Sequence, residues 1–205
     1  MIEIIVSISI FTVVMVITMG ALLTLNDASR KAQAIRTVID NLNFTLEDMN
    51  RKIRTGDSYY CYETPMLNST HPLEANVWTH DCPTAGGPTL VVRPQAGSLN
   101  AGTRTWLAYS FEKNPVTGRG GIFVRTGEAI GQRIQFFQTR MSITSPEVDI
   151  KKMDYRVVGA EVKLGTPKRQ PMVIINISGT VDLSKEKLRT DFSLQTAISQ
   201  RNFDK

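Results

Sequence analysis

The chain has 205 residues, 41% hydrophobic and 21% charged, with a formal net charge of +5. Those values leave room for one ordinary domain plus an appendage and exclude a low-complexity or disordered chain. Past Arg54 the balance is 18 Lys/Arg against 14 Asp/Glu, well interspersed; nucleic-acid binding needs a concentrated basic patch, and Lys168-Arg169 alone does not make one.

Residues 4–26 carry no ionised side chain, whereas charges recur every few residues from Asp27 onward. At about 1.5 Å per residue such a segment crosses a hydrocarbon core of roughly 30 Å. A cleavable secretory signal would need a basic start, a shorter apolar core and a small-residue cleavage site followed by a break, none of which is present. A buried core helix is seldom apolar all round for so long. Residues 1–26 therefore read as a membrane helix.

The helix does not stop there. No Pro or Gly interrupts residues 24–54, and the apolar positions become one-sided: Ile35, Ile39, Leu42, Leu46, Met49 and Ile53 recur at helical spacing. Gly56 ends the run behind Arg51, Lys52 and Arg54, where the helix dipole favours cations. One helix is predicted from Ile2 to Arg54, about 80 Å long, with residues 27–56 as its amphipathic continuation into the domain. Gly20 is its weak point, costing roughly 1 kcal/mol relative to Ala in water.

Residues 57–205 are expected to form a β-rich domain. Residues 57–88 read as irregular and hold Cys61, Cys82, His71 and His80. In an exported domain the two cysteines suggest a disulfide worth roughly 3 kcal/mol. Free thiols, or a metal site that recruits the histidines, are the alternatives. Close C-x-x-C pairs are missing, and no metal is expected.

Strand signals then follow at 89–93, 104–111, 122–125, 132–143, 155–164, 172–183 and 191–198, with a turn at 114–118 and Gly159 as a bulge. Short connections favour antiparallel pairing. Helix first and strands afterwards predicts an α+β fold: a long N-terminal helix, half transmembrane and half amphipathic, packed on an antiparallel β-sheet domain.

No nucleophile elbow, phosphate loop, H-E-x-x-H or calcium-hand pattern occurs. Neither an enzymatic activity nor a cofactor is expected.

Glu3 is physically out of place. It heads an apolar helix whose next charged residue is Asp27, and a carboxylate near hydrocarbon is costly without a partner. One reading puts it at the headgroup boundary, favoured by the positive end of the helix dipole. The other has a cation from a neighbouring subunit neutralise it when helices bundle.

The run Met1-Ile2-Glu3-Ile4-Ile5-Val6-Ser7-Ile8-Ser9-Ile10-Phe11 resembles the start of a mature type IV pilin or type II secretion pseudopilin. The ending Phe192-Ser193-Leu194-Gln195-Thr196-Ala197-Ile198-Ser199-Gln200-Arg201 is similar to minor pseudopilins of the J-like group. The resemblance implies that Glu3 is the assembly glutamate, meeting the free N-terminal amine of an adjacent subunit. In the family that glutamate is the fifth mature residue, so two residues and a leader for prepilin peptidase are expected ahead of Met1. Gly20 lies near where relatives carry a helix-loosening residue.

The partners implied are other pilin-like subunits, an inner-membrane assembly platform, prepilin peptidase and the lipid bilayer. The site implied is a single pass in a bacterial cytoplasmic membrane, with the domain outside and the assembled filament beyond. The Arg30-Lys31 pair runs against that orientation under the positive-inside rule, but a cut leader would carry its own basic residues. Calcium, held by an acidic C-terminal loop in major pseudopilins, is not expected, because residues 184–189 are not acidic enough. The rival readings are a signal-anchored binding domain that works as a monomer, and a competence-type pilin that contacts DNA.

Overall fold

In the computed structural model of the chain, the described residues are 2–62, 73–74, 81–82, 86–94, 105–130, 133–137, 139–146, 148–160, 170–181 and 189–201. His71, His80 and Lys168-Arg169, and the expected strand ends at 161–164 and 182–183, lie outside them, as does all of the 184–189 loop but Arg189.

Among the described residues one helix, α1 (Ile2–Arg54), leads into ten strands: β1 (Gly56–Tyr62), β2 (Leu73–Glu74), β3 (Thr89–Pro94), β4 (Thr105–Lys113), β5 (Gly120–Ile130), β6 (Arg133–Phe136), β7 (Met141–Ser142), β8 (Val148–Val158), β9 (Met172–Val181) and β10 (Thr190–Ser199). All pairings are antiparallel. A seven-stranded sheet runs β1-β3-β4-β5-β6-β2 with β7 on β5, and a separate three-stranded sheet runs β10-β9-β8. The protein is an α+β fold with one long helix laid on curled antiparallel sheets.

The upper half of α1, both sheets and one core converge. Val38, Leu42, Met49 and Ile53 meet Leu90, Val92, Leu107 and Tyr109 of the large sheet, and Ile150, Tyr155, Ile175 and Ile177 of the small one. A second apolar cluster, Val91, Trp106, Ala108, Ile134 and Phe136, occupies the opposite face of the large sheet. Strand β4 is therefore buried on both faces, which is why Trp106-Leu107-Ala108-Tyr109 reads as a continuous apolar run rather than an alternation.

The buried face of the helix is Ala34, Val38, Leu42, Thr45, Met49 and Ile53. It is rotated from the stripe that large apolar residues mark: Ile39 is 49% exposed, and Ile35 and Leu46 are only half-buried. Small Ala34 and polar Thr45 take the inner positions. The Thr45 hydroxyl lies 2.9 Å from the Asn41 carbonyl and 2.7 Å from that of Ile143, so a buried polar side chain is satisfied at the helix–sheet contact.

The C-terminal end of the helix is tied down from both sheets. The Tyr59 hydroxyl reaches the carbonyls of Ile53 and Gly56, and the Arg201 amide donates to the Arg54 carbonyl at 2.8 Å. These partners satisfy carbonyls that a helix end leaves free.

Two seams join the sheets. A disulfide links Cys61 on β1 to Cys82, whose N–H donates to Val157 O of β8, and Gly87 bridges to Tyr155 of the same strand. At the other seam, Gly120 sits against the carbonyl of Ile150, where a Cβ would collide, and donates its N–H to Asp149 at 2.9 Å.

The hydroxyls of Tyr109 and Tyr155 are buried without a hydrogen-bond partner among the described residues. Burial pushes both phenols well above their usual range, with Asp48 adding to the shift at Tyr109. An orphaned buried hydroxyl costs about 1–3 kcal/mol. Tyr155→Phe is therefore expected to keep or raise stability, by up to about 1 kcal/mol. A urea midpoint well below that of the unaltered chain would show that the hydroxyl has a partner.

Candidate functional site

From Ile2 to Leu25 every large apolar side chain of α1 is more than half exposed. None of its apolar window is buried. No folded chain leaves so large an apolar surface to water, so lipid or other protein must cover it. The helix is long and apolar enough to be a single membrane span or signal anchor.

The hydroxyl side chains on this segment are internally satisfied. Ser7 donates to the Glu3 carbonyl, Ser9 to Ile5, Thr12 to Ile8, Thr18 to Val14 and Thr24 to Gly20, each at 2.8–3.0 Å. Such i−4 bonds let hydroxyls sit in hydrocarbon without an unmet donor. The helix is continuous through Gly20, and nothing lies near that residue's missing side chain.

Glu3 lies in the first turn, where the helix dipole favours a carboxylate. Among the described residues no cation pairs with it. The helix carries Glu3 about 75 Å from Ile53 by the standard rise. The structure therefore does not bring Glu3 and the Cys61–Cys82 bond into one site: one marks the foot of the helix and the other a seam of the domain.

The domain holds a charge cluster that spacing along the chain does not reveal. Glu112, 2% exposed, accepts two hydrogen bonds from Arg125, itself 4% exposed, along with one from Ser110 at 2.6 Å and one from Arg140. Arg140 also stacks over Phe123 at 4.6 Å. Burial alone would raise the Glu112 pKa, but the hydrogen bonds from Arg125 and Ser110 and the Arg125 charge hold the carboxyl below its usual range. The signal that would have found it is a charge at an inward position: Glu112 follows Trp106, Ala108 and Ser110 along one face of β4. The fork geometry is structural, with every carboxylate oxygen already taken.

Two cavities lined by described residues offer room for a ligand. One of about 350 Å³ is lined by Asn114, Arg119, Phe123, Ser142 and Thr144 among others. Its polar groups are largely engaged: Asn114 caps its own turn, Arg119 holds the Pro146 carbonyl and Thr144 accepts from Ile122 N–H. The other, about 250 Å³ and mainly apolar, is a groove between α1 and β10 lined by Ile35, Ile39, Phe192 and Leu194 among others.

No protein family, curated protein or solved structure matches the chain. The arrangement itself, a long apolar N-terminal helix over a β-sheet domain, fits a pilin-like architecture.

Proposed function

We propose that the chain is a minor pilin or pseudopilin subunit, stored in the bacterial cytoplasmic membrane by residues 1–26 and assembled through α1 into a type IV pilus or secretion pseudopilus. The observation that carries this reading is a carboxylate, with no cation beside it among the described residues, heading an exposed apolar segment that runs unbroken into the packed half of the helix. In a simple anchor Glu3 is a boundary charge favoured only by the helix dipole. A helix that leaves lipid for a bundle gives it a role, because a neighbour's cation can neutralise the carboxylate as the apolar faces pack.

The work is mechanical. Apolar helix faces exchange lipid for each other, and the Glu3 contact sets how far each subunit advances along its neighbour. The Cys61–Cys82 disulfide supports placing the domain on the oxidising side of the membrane. Prepilin peptidase and an assembly platform are the partners this route requires.

Glu3→Ala is expected to leave the protein in the membrane while its yield in sheared or crosslinked filaments falls at least about tenfold, the equivalent of a lost ion pair of about 1.4 kcal/mol or more. Filament yield equal to that of the unaltered protein would remove Glu3 from the assembly step.

A further inference from the structure

The face of α1 that turns away from the sheets carries charges at a regular spacing. Arg36, Asp40, Glu47 and Arg51 lie along it, all exposed, and Phe44 among them is 77% exposed. Asp48, beside this line, pairs with Lys52 one turn on. None of the four charges has an ion-pair partner among the described residues. The strands meet the opposite face of the helix, where Ala34, Val38, Leu42, Thr45, Met49 and Ile53 are buried.

The order of charge along the line is plus, minus, minus, plus. Arg36 and Glu47 stand eleven residues apart, and so do Asp40 and Arg51. Eleven residues make about three turns, so each pair shares a face and is separated by about 16 Å along the axis. A second copy of the helix, parallel and advanced by that distance, sets its Arg36 against Glu47 and its Asp40 against Arg51. Other offsets do worse. In level register each charge meets itself, an offset of seven sets Asp40 against Glu47, and one of fifteen sets Arg36 against Arg51. An offset of four also gives opposite charges, but a single helix can make those contacts within itself. It also lays Phe44 against Asp40 and Asp48, whereas at eleven Phe44 falls beside uncharged Gln33 and Thr55.

We infer that this face docks on a second copy of the chain, parallel and offset by eleven residues, with the four charges setting the step. The step rests on the assembly reading, since both helices enter one membrane in the same direction and one must leave lipid by that distance. Opposed charges of this kind fix register more than affinity. The contact is heterologous: the lower copy keeps its own Arg36 and Asp40 open for a third, so the step can repeat. At this offset Glu3 of the advanced copy is level with Val14, so the cation for Glu3 belongs to a different neighbour.

A photocrosslinking residue in place of Phe44, in the full chain expressed in its native membrane, reads the register. Adducts are expected on a second copy within about one turn of Gln33 or Thr55. Adducts elsewhere on that copy, on a different protein or on this chain's own residues, or no adducts at all, would overturn the step. Arg36→Glu should cut the adducts at least tenfold by setting like charges together. Arg36→Glu combined with Glu47→Arg swaps the pair and should restore them. At an offset of four, or with pairing inside one helix, the second change does further damage instead. A double variant no better than the single one therefore contradicts the eleven-residue step. Adducts from position 11 read assembly separately. If they persist while those from position 44 fall elsewhere, the step alone fails; if both are lost, the assembly reading fails with it.

Discussion

Replacing Glu112 with alanine is expected to cost about 3–5 kcal/mol, because it leaves the Arg125 guanidinium buried without its counter-charge. Arg140 loses the same partner but is nearly a third exposed and regains water. The penalty is therefore carried mainly by Arg125. Urea unfolding of the full chain, followed by tryptophan fluorescence, reads it as a large drop in midpoint with little change in slope.

The same cluster sets the acid limb of stability. The Glu112 pKa is lower folded than unfolded, so the folded state binds fewer protons there than the unfolded one. Its contribution is complete above the unfolded value of about 4.3 and is lost as pH falls through the depressed folded value. The unfolding midpoint should hold from neutral pH to about pH 5 and fall below about pH 4. Glu112→Gln, which keeps the shape and removes the charge, should start lower and lose the part of the acid decline that Glu112 contributes. An unchanged acid limb in that variant would assign it to other carboxylates. Asp149 is one, held low by Lys151 and the Gly120 N–H against its burial.

Removing the Cys61–Cys82 bond should cost about 3 kcal/mol, from a loop of 21 residues in the chain-entropy model. The location sharpens the expectation. The bond ties β1 of the large sheet to Cys82, whose N–H donates to Val157 O of β8, so its loss weakens a seam between sheets. Cys61→Ala with Cys82→Ala should lower the urea midpoint as much as reductant lowers that of the unaltered chain. It should also raise amide exchange in β8, at Val157 first, whose N–H donates to the Cys82 Sγ at 2.9 Å. An unchanged midpoint in the double variant would show that Cys82 and Gly87 hold β8 through their backbone bonds alone.

The helix was legible at its full length because charge-free and one-sided apolar patterns meet without a Pro or Gly break between residues 24 and 54. Its buried face was less so. Burial selected Ala34 and Thr45 for close approach and a shared hydroxyl, which a count of large apolar residues overlooks. Among the strands, β3, β4, β9 and β10 follow β-branched and aromatic runs. Strand β1 was read as irregular because Asp57-Ser58-Tyr59-Tyr60 holds no aliphatic residue, and a register shift between Gly56 and Ser58 breaks its alternation.

Strand β8 begins at Val148, not 155. Its inward residues Val148 and Ile150 slip by one position to Met153, Tyr155 and Val157 across the Ile150/Lys152 shift. Gly127, which looks like a breaker, lies inside β5 because the Phe136 ring occupies the space of a side chain. The expected 132–143 strand is two short ones, β6 and β7, both paired to β5. Gly159 follows β8 with a φ of +79° and turns the chain rather than bulging the strand. Of the candidate site, Glu3 was legible as a charge in the wrong solvent. The Glu112–Arg125–Arg140 cluster was not, since pairing across three separate segments leaves no local spacing.

The central claim is that the exposed half of α1 ends against other subunits. A photocrosslinking residue in place of Phe11, in the chain expressed in its native membrane, tests it most directly. The account predicts protein adducts mapped to the apolar N-terminal helices of pilin-like neighbours, strongly reduced by Glu3→Ala. Adducts to lipid alone, with the chain remaining a monomer, would contradict it and leave α1 as an anchor.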